Sequence, residues 1–326
     1  MVGIIETLTA GFDRVTNRLW LILIPVLVDI AIWIGPRLSI ASLSQSAAAA
    51  LPGAAELGSQ YQQSLELARE RIVDIGAGVN LVSLLSMRAL GLPSLTATFS
   101  PQAHLFAATP RVIEIQTWSV LLASGAVLVL LSLLIGCLSL SCIAQAARHE
   151  DIELTYTLQL TGRSWMRLAV LVLAGLVVIA TVVIGMSVVY SILVVLSPQL
   201  AWLALNLLSI TALWFSVYAG IVFFFTPRAI VLDDMGLLHS LWSSMSIVHR
   251  NFWSVVGFVL LVTIIQAGLL HIWRMLAIST AGTLAGIVGN AYVSTGLVMA
   301  SFIFYRDKFV AWQEAVRKAQ ADKGQS

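Results

Sequence analysis

Apolar residues gather into six stretches, 19–34, 118–144, 168–196, 200–226, 253–270 and 284–305, and nearly every charge lies between them. None of the six contains Lys or Arg, and only the first contains an acid, Asp29. A helix needs roughly 20 apolar residues to cross about 30 Å of hydrocarbon. The pattern therefore predicts an all-α integral membrane fold with six transmembrane helices. A membrane barrel would alternate apolar and polar positions in segments of about ten residues, and these runs are continuous. The stretch 168–196 would be about 43 Å long at 1.5 Å per residue, so it must tilt or protrude. The first stretch is short.

Between the spans the pattern becomes amphipathic. In 237–250, Leu237, Leu241, Met245 and Val248 fall on one helical face, and His239, Ser243, Ser246 and Arg250 on the other. This is the 3.6-residue period of a surface helix. The amino terminus repeats it with Ile4, Leu8, Phe12 and Val15, and the tail with Phe309, Trp312 and Val316. Such helices can lie in the headgroup plane, but these carry few basic residues. We expect a collar packed under the bundle. The predicted organisation is a membrane domain over 1–306 and a cytoplasmic amphipathic tail over 307–326. Residues 37–112 form an extracytoplasmic insertion, too long for a bare connector. Helices are expected there from Ala54 to about Ile75 and from Val79 to Leu90, as a small helical cap over the bundle.

The segments leading into the odd-numbered spans resemble one another. Glu6 precedes Arg18-Leu19-Trp20, Asp151 precedes Arg163-Ser164-Trp165, and Asp234 precedes Arg250-Asn251-Phe252. Arginine beside an aromatic ring is common at a membrane interface, but that rule does not account for the acid placed upstream each time. We read three parallel-repeat hairpins, with Glu6, Asp151 and Asp234 in equivalent interfacial positions. Repeats running the same way differ from the inverted repeats of many secondary transporters.

Composition agrees with the membrane reading. Apolar residues make up 59% and charged residues 10%, and the mean hydropathy is +0.94; a soluble domain carries about 25% charge. In the short loops and termini on the side shared by both ends, twelve Lys and Arg face a single one, Arg274, on the other. The positive-inside rule then places both termini in the cytoplasm, with the chain in the cell membrane. The net charge of +2 gives no reason to expect nucleic acid. Cys137 and Cys142 share one span at a spacing that puts them on different faces, so they do not bridge. The first span is not expected to be a cleaved signal peptide, because Asp29 interrupts it and the small residues 46–50 lie too far beyond its core.

Few residues carry candidate chemistry. The five histidines form no HExxH pattern and no metal set is predicted; no cofactor is expected. Asp29 is the sharpest candidate, since a carboxylate within a span costs about 2.5–3.5 kcal/mol on insertion scales and often serves an ion or proton path. Pro25, one turn earlier, is expected to kink the helix beside it. The alternative is structural: Asp29 faces the bundle and pairs with a polar group, with Asn206, Gln266, His271 and Asn290 as candidates. In that case Asp29→Asn is expected to remain stable. Gly282, Gly286 and Gly289 form a small-residue stripe suited to close helix packing.

The run Pro227-Arg228-Ala229-Ile230-Val231-Leu232-Asp233-Asp234, followed by a Ser-rich amphipathic helix and Arg250-Asn251-Phe252-Trp253, resembles an element of poorly characterised bacterial six-helix membrane proteins. These are related to the membrane domain attached to some glycerophosphodiester phosphodiesterases. The resemblance covers about 50 residues closely and the six-span layout loosely. It implies a bacterial inner-membrane protein and supplies no reaction, because the phosphodiesterase catalytic domain has no counterpart here.

Three functions are compatible with these patterns. A non-enzymatic membrane scaffold or accessory protein fits the sparse polar groups, with the lipid bilayer and other membrane or cytoplasmic proteins as partners. A transporter or permease-like subunit would use Asp29. A membrane enzyme acting on lipid would need a convergent acid, base and nucleophile, which the sequence does not offer. Topology is testable directly: a cysteine placed in the tail, in a chain lacking Cys137 and Cys142, should resist impermeant thiol reagents in intact cells and react after permeabilisation. Labelling from outside would reverse the orientation.

Overall fold

The computed structural model describes residues 3–51, 62–87, 90–98, 111–148, 153–232, 234 and 236–323. Among these the chain is helical apart from one two-stranded ribbon. Five helices are long and apolar enough to cross a membrane: α5 (Trp118–Arg148), α6 (Leu154–Leu196), α7 (Pro198–Leu232), α9 (Phe252–Leu276) and α10 (Thr280–Lys323). A sixth candidate is the pair formed by α1 (Ile4–Thr16) and the segment Leu19–Ile34, which passes only as a pair and is bent by 95° at its break. That segment opens with a 3-10 turn, Leu19–Ile22, and continues as α2 (Leu23–Ile34). These helices mark a membrane protein.

The chain divides into two compact units. One comprises Met1–Arg18, Cys137–Ile265 and Gly296–Ser326; the other comprises Leu19–Gly136 and Gln266–Thr295. The second unit contains the insertion. After α2 the chain forms β1 (Arg37–Ser39), α3 (Ala41–Ala49), α4 (Gln62–Gly78) and a 3-10 turn at Leu81–Leu85, and returns through β2 (Val112–Glu114). The two strands pair in parallel, Arg37 with Val112 and Ser39 with Glu114, which ties the ends of the insertion together. Asn80 reinforces the base: its Oδ1 accepts from Leu38 N at 3.0 Å and from Val82 N at 3.2 Å. The insertion is therefore not purely helical. Helix α4 matches the later part of the expected Ala54–Ile75 helix, whose first residues fall outside those described. Among the described residues of the expected helix 79–90 there is a short 3-10 turn, Leu81–Leu85, capped by the Asn80 side chain, and α3 was not anticipated.

The first unit is built around α6 and α7, which pack along each other after a turn at Ser197. Only 6% and 11% of their apolar windows are buried. Their polar side chains satisfy themselves: Thr181, Ser187, Ser191, Asn206, Ser209 and Thr211 each donate to the carbonyl four residues earlier, at 2.7–2.9 Å. Those six side chains need no partner from lipid, where none is offered.

The segments preceding the spans differ in ways the repeat did not foresee. Helix α1 and helix α8 (Leu237–Arg250) have 13 and 14 residues, each with a glycine N-cap, Gly3 and Gly236, and each stopping at an asparagine, Asn17 and Asn251. The second connector has no such stop and runs straight into its span as α6. The sequence position that holds Asn251 in the third unit holds Ser164 in the second, and nothing there favours leaving the helix. The tail likewise continues α10 without a break at residue 306.

The face of α8 is only partly the expected one: Val248 is buried and His239 and Arg250 are exposed, but Ser243 is buried and Met245 faces outward. Ser240, Ser243, Ser244, Ile247 and Val248 are buried, while Leu238, Trp242 and Met245 point outward. Small serine side chains allow close approach, so neighbouring helices took that side.

Two helices of the first unit meet backbone to backbone. A Cβ built on Gly11 would lie 2.7 Å from Ala300 N and 2.8 Å from Gly296 O, and one on Gly296 would lie 2.5 Å from the Phe12 ring. We predict that Gly11→Val lowers stability by about 1–3 kcal/mol, the usual cost of overpacking, read as a drop in thermal midpoint in detergent. A midpoint unchanged from wild type would show that the crossing is not close.

Candidate functional site

Asp29 sits in the second turn of α2 and is 1% exposed. Helix geometry places Val28, Ile32 and Trp33 around it, and these pack against Val82 and Leu95 in two apolar clusters. A carboxylate in such surroundings needs hydrogen-bond donors, because a buried ion without them is destabilising by several kcal/mol.

The donors come from the insertion. Ser94 Oγ donates to Asp29 Oδ1 at 2.5 Å, Thr96 N donates to Oδ1 at 2.9 Å, and Leu95 N donates to Oδ2 at 2.9 Å. The Thr96 hydroxyl lies 2.6 Å from Oδ1 and 3.0 Å from the Asp29 carbonyl oxygen. Residues 94–98 form a single turn whose amides are fully accounted for. Ala97 N bonds Ser94 Oγ at 3.0 Å, and Thr98 N bonds Leu95 O at 3.1 Å. Ser94 thus caps the turn in the manner of a helix N-cap, and Asp29 takes the two amides that the cap does not reach.

The same loop is fastened elsewhere. Gly91, at φ 74°, makes the backbone reversal that leads into it. Ser94 N donates to Ser86 Oγ at 2.8 Å, and Ser86 Oγ donates to Leu92 O at 2.9 Å. Asn290 Nδ2 donates to Pro93 O at 2.9 Å. Of the four polar residues considered as partners of Asp29, Asn290 alone reaches this loop through a described bond, and it holds the loop rather than the acid. Asn206 bonds its own helix. The bonding set of Asp29 is hidden from sequence reasoning because its donors lie 65–67 positions away, in a segment with no helical or strand period. The hydroxyl-rich run Ser94, Thr96 and Thr98 is the one signal that marks it.

Pro25, expected to kink the helix, lies at the start of α2. It stands in the first turn, directly after the 3-10 segment, where a missing N–H has no helical partner to lose. The glycine stripe divides. Gly289 accepts the Trp273 ring, which would be 2.5 Å from a Cβ there, and Gly286 accepts Leu95, whose Cδ2 would lie 3.0 Å from one, whereas the Cβ of Gly282 would meet the backbone of the preceding turn at Leu276. Packing within the unit is therefore the role of the two later glycines.

The acids preceding the spans do not share one role. Glu6 lies inside α1 and its carboxylate accepts from Gly3 N at 2.9 Å, capping the first turn. Asp234 precedes the α8 N-cap, takes a φ of 47°, and accepts from Arg163 and Arg167 at 2.6 Å each. The four extra residues between acid and arginine in the third unit put Asp234 outside the helix that its counterpart caps. Asp151 lies outside the described residues. Trp20 is exposed, Phe252 is exposed and Trp165 is half-buried, as interfacial rings are; Arg18 is half-buried and Arg250 exposed.

One buried cation was not singled out beforehand. Arg228, 1% exposed, donates from Nε to Ser301 Oγ at 3.1 Å and to the Phe224 carbonyl, with its guanidinium 4.1 Å from the Phe224 ring centroid. Helix α7 extends past Pro227 to Leu232, which draws Arg228 into the packed unit instead of leaving it at a span exit. Among the described residues no group of three or more His, Cys, Asp or Glu side chains is placed to hold a metal ion.

The bonding around Asp29 changes what its substitution should do. Asn keeps one acceptor oxygen but turns an amide NH2 toward the remaining donors. We predict that Asp29→Asn loses about 1–3 kcal/mol, the cost of one unsatisfied buried group, and that Asp29→Ala loses more. Urea or thermal unfolding in detergent measures both. Limited proteolysis should cut the insertion faster in each variant, and equal rates would show that the loop does not depend on Asp29.

No protein-family model, curated protein or solved structure matches this chain, so its site is read from its own geometry.

Proposed function

We propose that this chain is a non-enzymatic scaffold or accessory protein of the bacterial cytoplasmic membrane, with Asp29 as a structural latch. The observation that carries this reading is the commitment of the Asp29 carboxylate to the turn 94–97. Oδ1 receives three donors and Oδ2 one, all from the chain itself. An ion or proton carrier must exchange partners during its cycle, and here exchange would leave the buried amides of Leu95 and Thr96 without their acceptor.

The architecture that goes with this function has six spans, both termini in the cytoplasm, and the insertion on the far side. The charge bias among short loops supports the orientation. The three-hairpin repeat is supported by the similar lengths and glycine N-caps of α1 and α8. The middle unit has fused its connector to its span. The bilayer is the first partner, and other membrane or cytoplasmic proteins are the expected second class.

The test compares Asp29→Asn with wild type in a strain lacking the protein, at matched membrane abundance. If the chain works by holding an assembly together, the variant should restore the deletion phenotype whenever its abundance matches wild type. A variant present at full abundance, resistant to proteolysis and yet inactive would favour transport through Asp29 and overturn the scaffold reading.

A further inference from the structure

We propose that α8 is an interfacial helix whose outward stripe, Leu238, Trp242 and Met245, is seated in the headgroup and upper acyl region of the bilayer. Leu238, Trp242 and Met245 are 81%, 61% and 40% exposed and stand at i, i+4 and i+7, one line along the helix. The opposite side is closed: Ser240, Ser243, Ser244, Ile247 and Val248 are all fully buried. A helix that buries three serines and turns Leu238, Trp242 and Met245 outward, beside the exposed His239, His249 and Arg250, is arranged for a boundary between apolar and polar surroundings outside the protein.

Three observations identify that environment as lipid. The first is continuity. After Asn251 the chain enters α9, a candidate span, and Trp253 at its start is 83% exposed. Tryptophan at a span end is the ordinary marker of the headgroup level, so the stripe of α8 adjoins a lipid-facing surface in sequence. The second is charge. From Gly236 to Trp253 there is no acid, and Arg250 is an exposed cation; Asp234, just before, is held by Arg163 and Arg167. A surface of this kind meets anionic headgroups without repulsion. The third is contrast. Helix α1 has nearly the same length and the same glycine cap, but its exposed positions include Glu6, Thr9, Asp13 and Thr16, with Ile5 the one large apolar residue among them. The two similar helices face outward with opposite chemistry, so the apolar stripe belongs to α8 in particular and not to connectors in general.

The inference rests on the membrane reading of the long helices, and the experiment separates the two. Single cysteines at Leu238, Trp242 and Met245, with Thr9 and Val183 as references, are introduced into the full chain carrying Cys137→Ala and Cys142→Ala. Each is spin-labelled and reconstituted into phosphatidylethanolamine–phosphatidylglycerol vesicles. Power saturation then compares collisions with oxygen, which partitions into lipid, and with a water-soluble nickel chelate. Val183, on the exposed face of α6, should be deep, with oxygen favoured strongly. Thr9 should favour the chelate. The three α8 positions should be shallow and favour oxygen over the chelate several-fold more than Thr9 does. The proposal is overturned if they match Thr9, which means water, or are shielded from both reagents, which means a protein partner or a second copy. If Val183 also favours the chelate, the membrane reading itself has failed. Because Trp242→Cys removes a large side chain, the positions 238 and 245 report independently of any local loosening it causes.

Discussion

The carboxylate of Asp29 is the point on which one unit of this protein turns. A carboxyl group 1% exposed must be met by donors wherever the chain can bring them. The donors here are two main-chain amides and two hydroxyls of a single turn. Each hydrogen bond to a charged group contributes about 1.5–3 kcal/mol, which offsets a desolvation cost of several kcal/mol. The arrangement works in both directions. The acid would be costly without the loop, and the loop would expose unpaired amides without the acid. Apolar packing of Trp33, Leu95 and Ile287 surrounds the contact, and the parallel ribbon of β1 and β2 fixes the ends of the insertion from which the loop emerges.

The other unit meets the same requirement differently. Several of its buried polar groups are tied to helix ends and helix crossings. Arg14 and Arg306 both donate to the Ala147 carbonyl, at 2.9 and 3.1 Å, satisfying an orphan acceptor at the end of α5. Gln145 bonds Thr157 at 2.7 Å across the turn to α6. Arg228 bonds Ser301 across helices and stacks on the Phe224 ring, and beside it in sequence Phe225 stacks with Phe304 and Tyr305. Where α6 and α7 leave this packed region, their hydroxyls turn back on their own carbonyls. Polar groups thus find partners at long range where helices are packed and at four residues' distance where lipid is the neighbour.

What the sequence determined by itself follows from composition and period. Runs without charge, each long enough to cross hydrocarbon, identify the five long helices, and the period of the connectors identifies α1 and α8 as amphipathic. The glycines at 286 and 289 were legible as packing positions because small residues in a span have few other uses. The cost of a charge in hydrocarbon singled out Asp29 and required it to have a partner.

The tertiary structure decided which partner, and in which direction each face points. Ser94, Leu95 and Thr96 have no periodic signature, and no local rule connects them with an acid more than sixty residues earlier. The outward face of α8 could not be read from its pattern either. Serine and leucine stripes of similar width can each be turned inward, and the choice depends on how closely the neighbouring helices approach. The acids at 6 and 234 look equivalent as letters, yet four residues of spacing place one within a helix and the other before its cap. Period and composition act along the chain and are visible in it, whereas hydrogen-bond closure and helix contact act across the chain and exist only once it has folded.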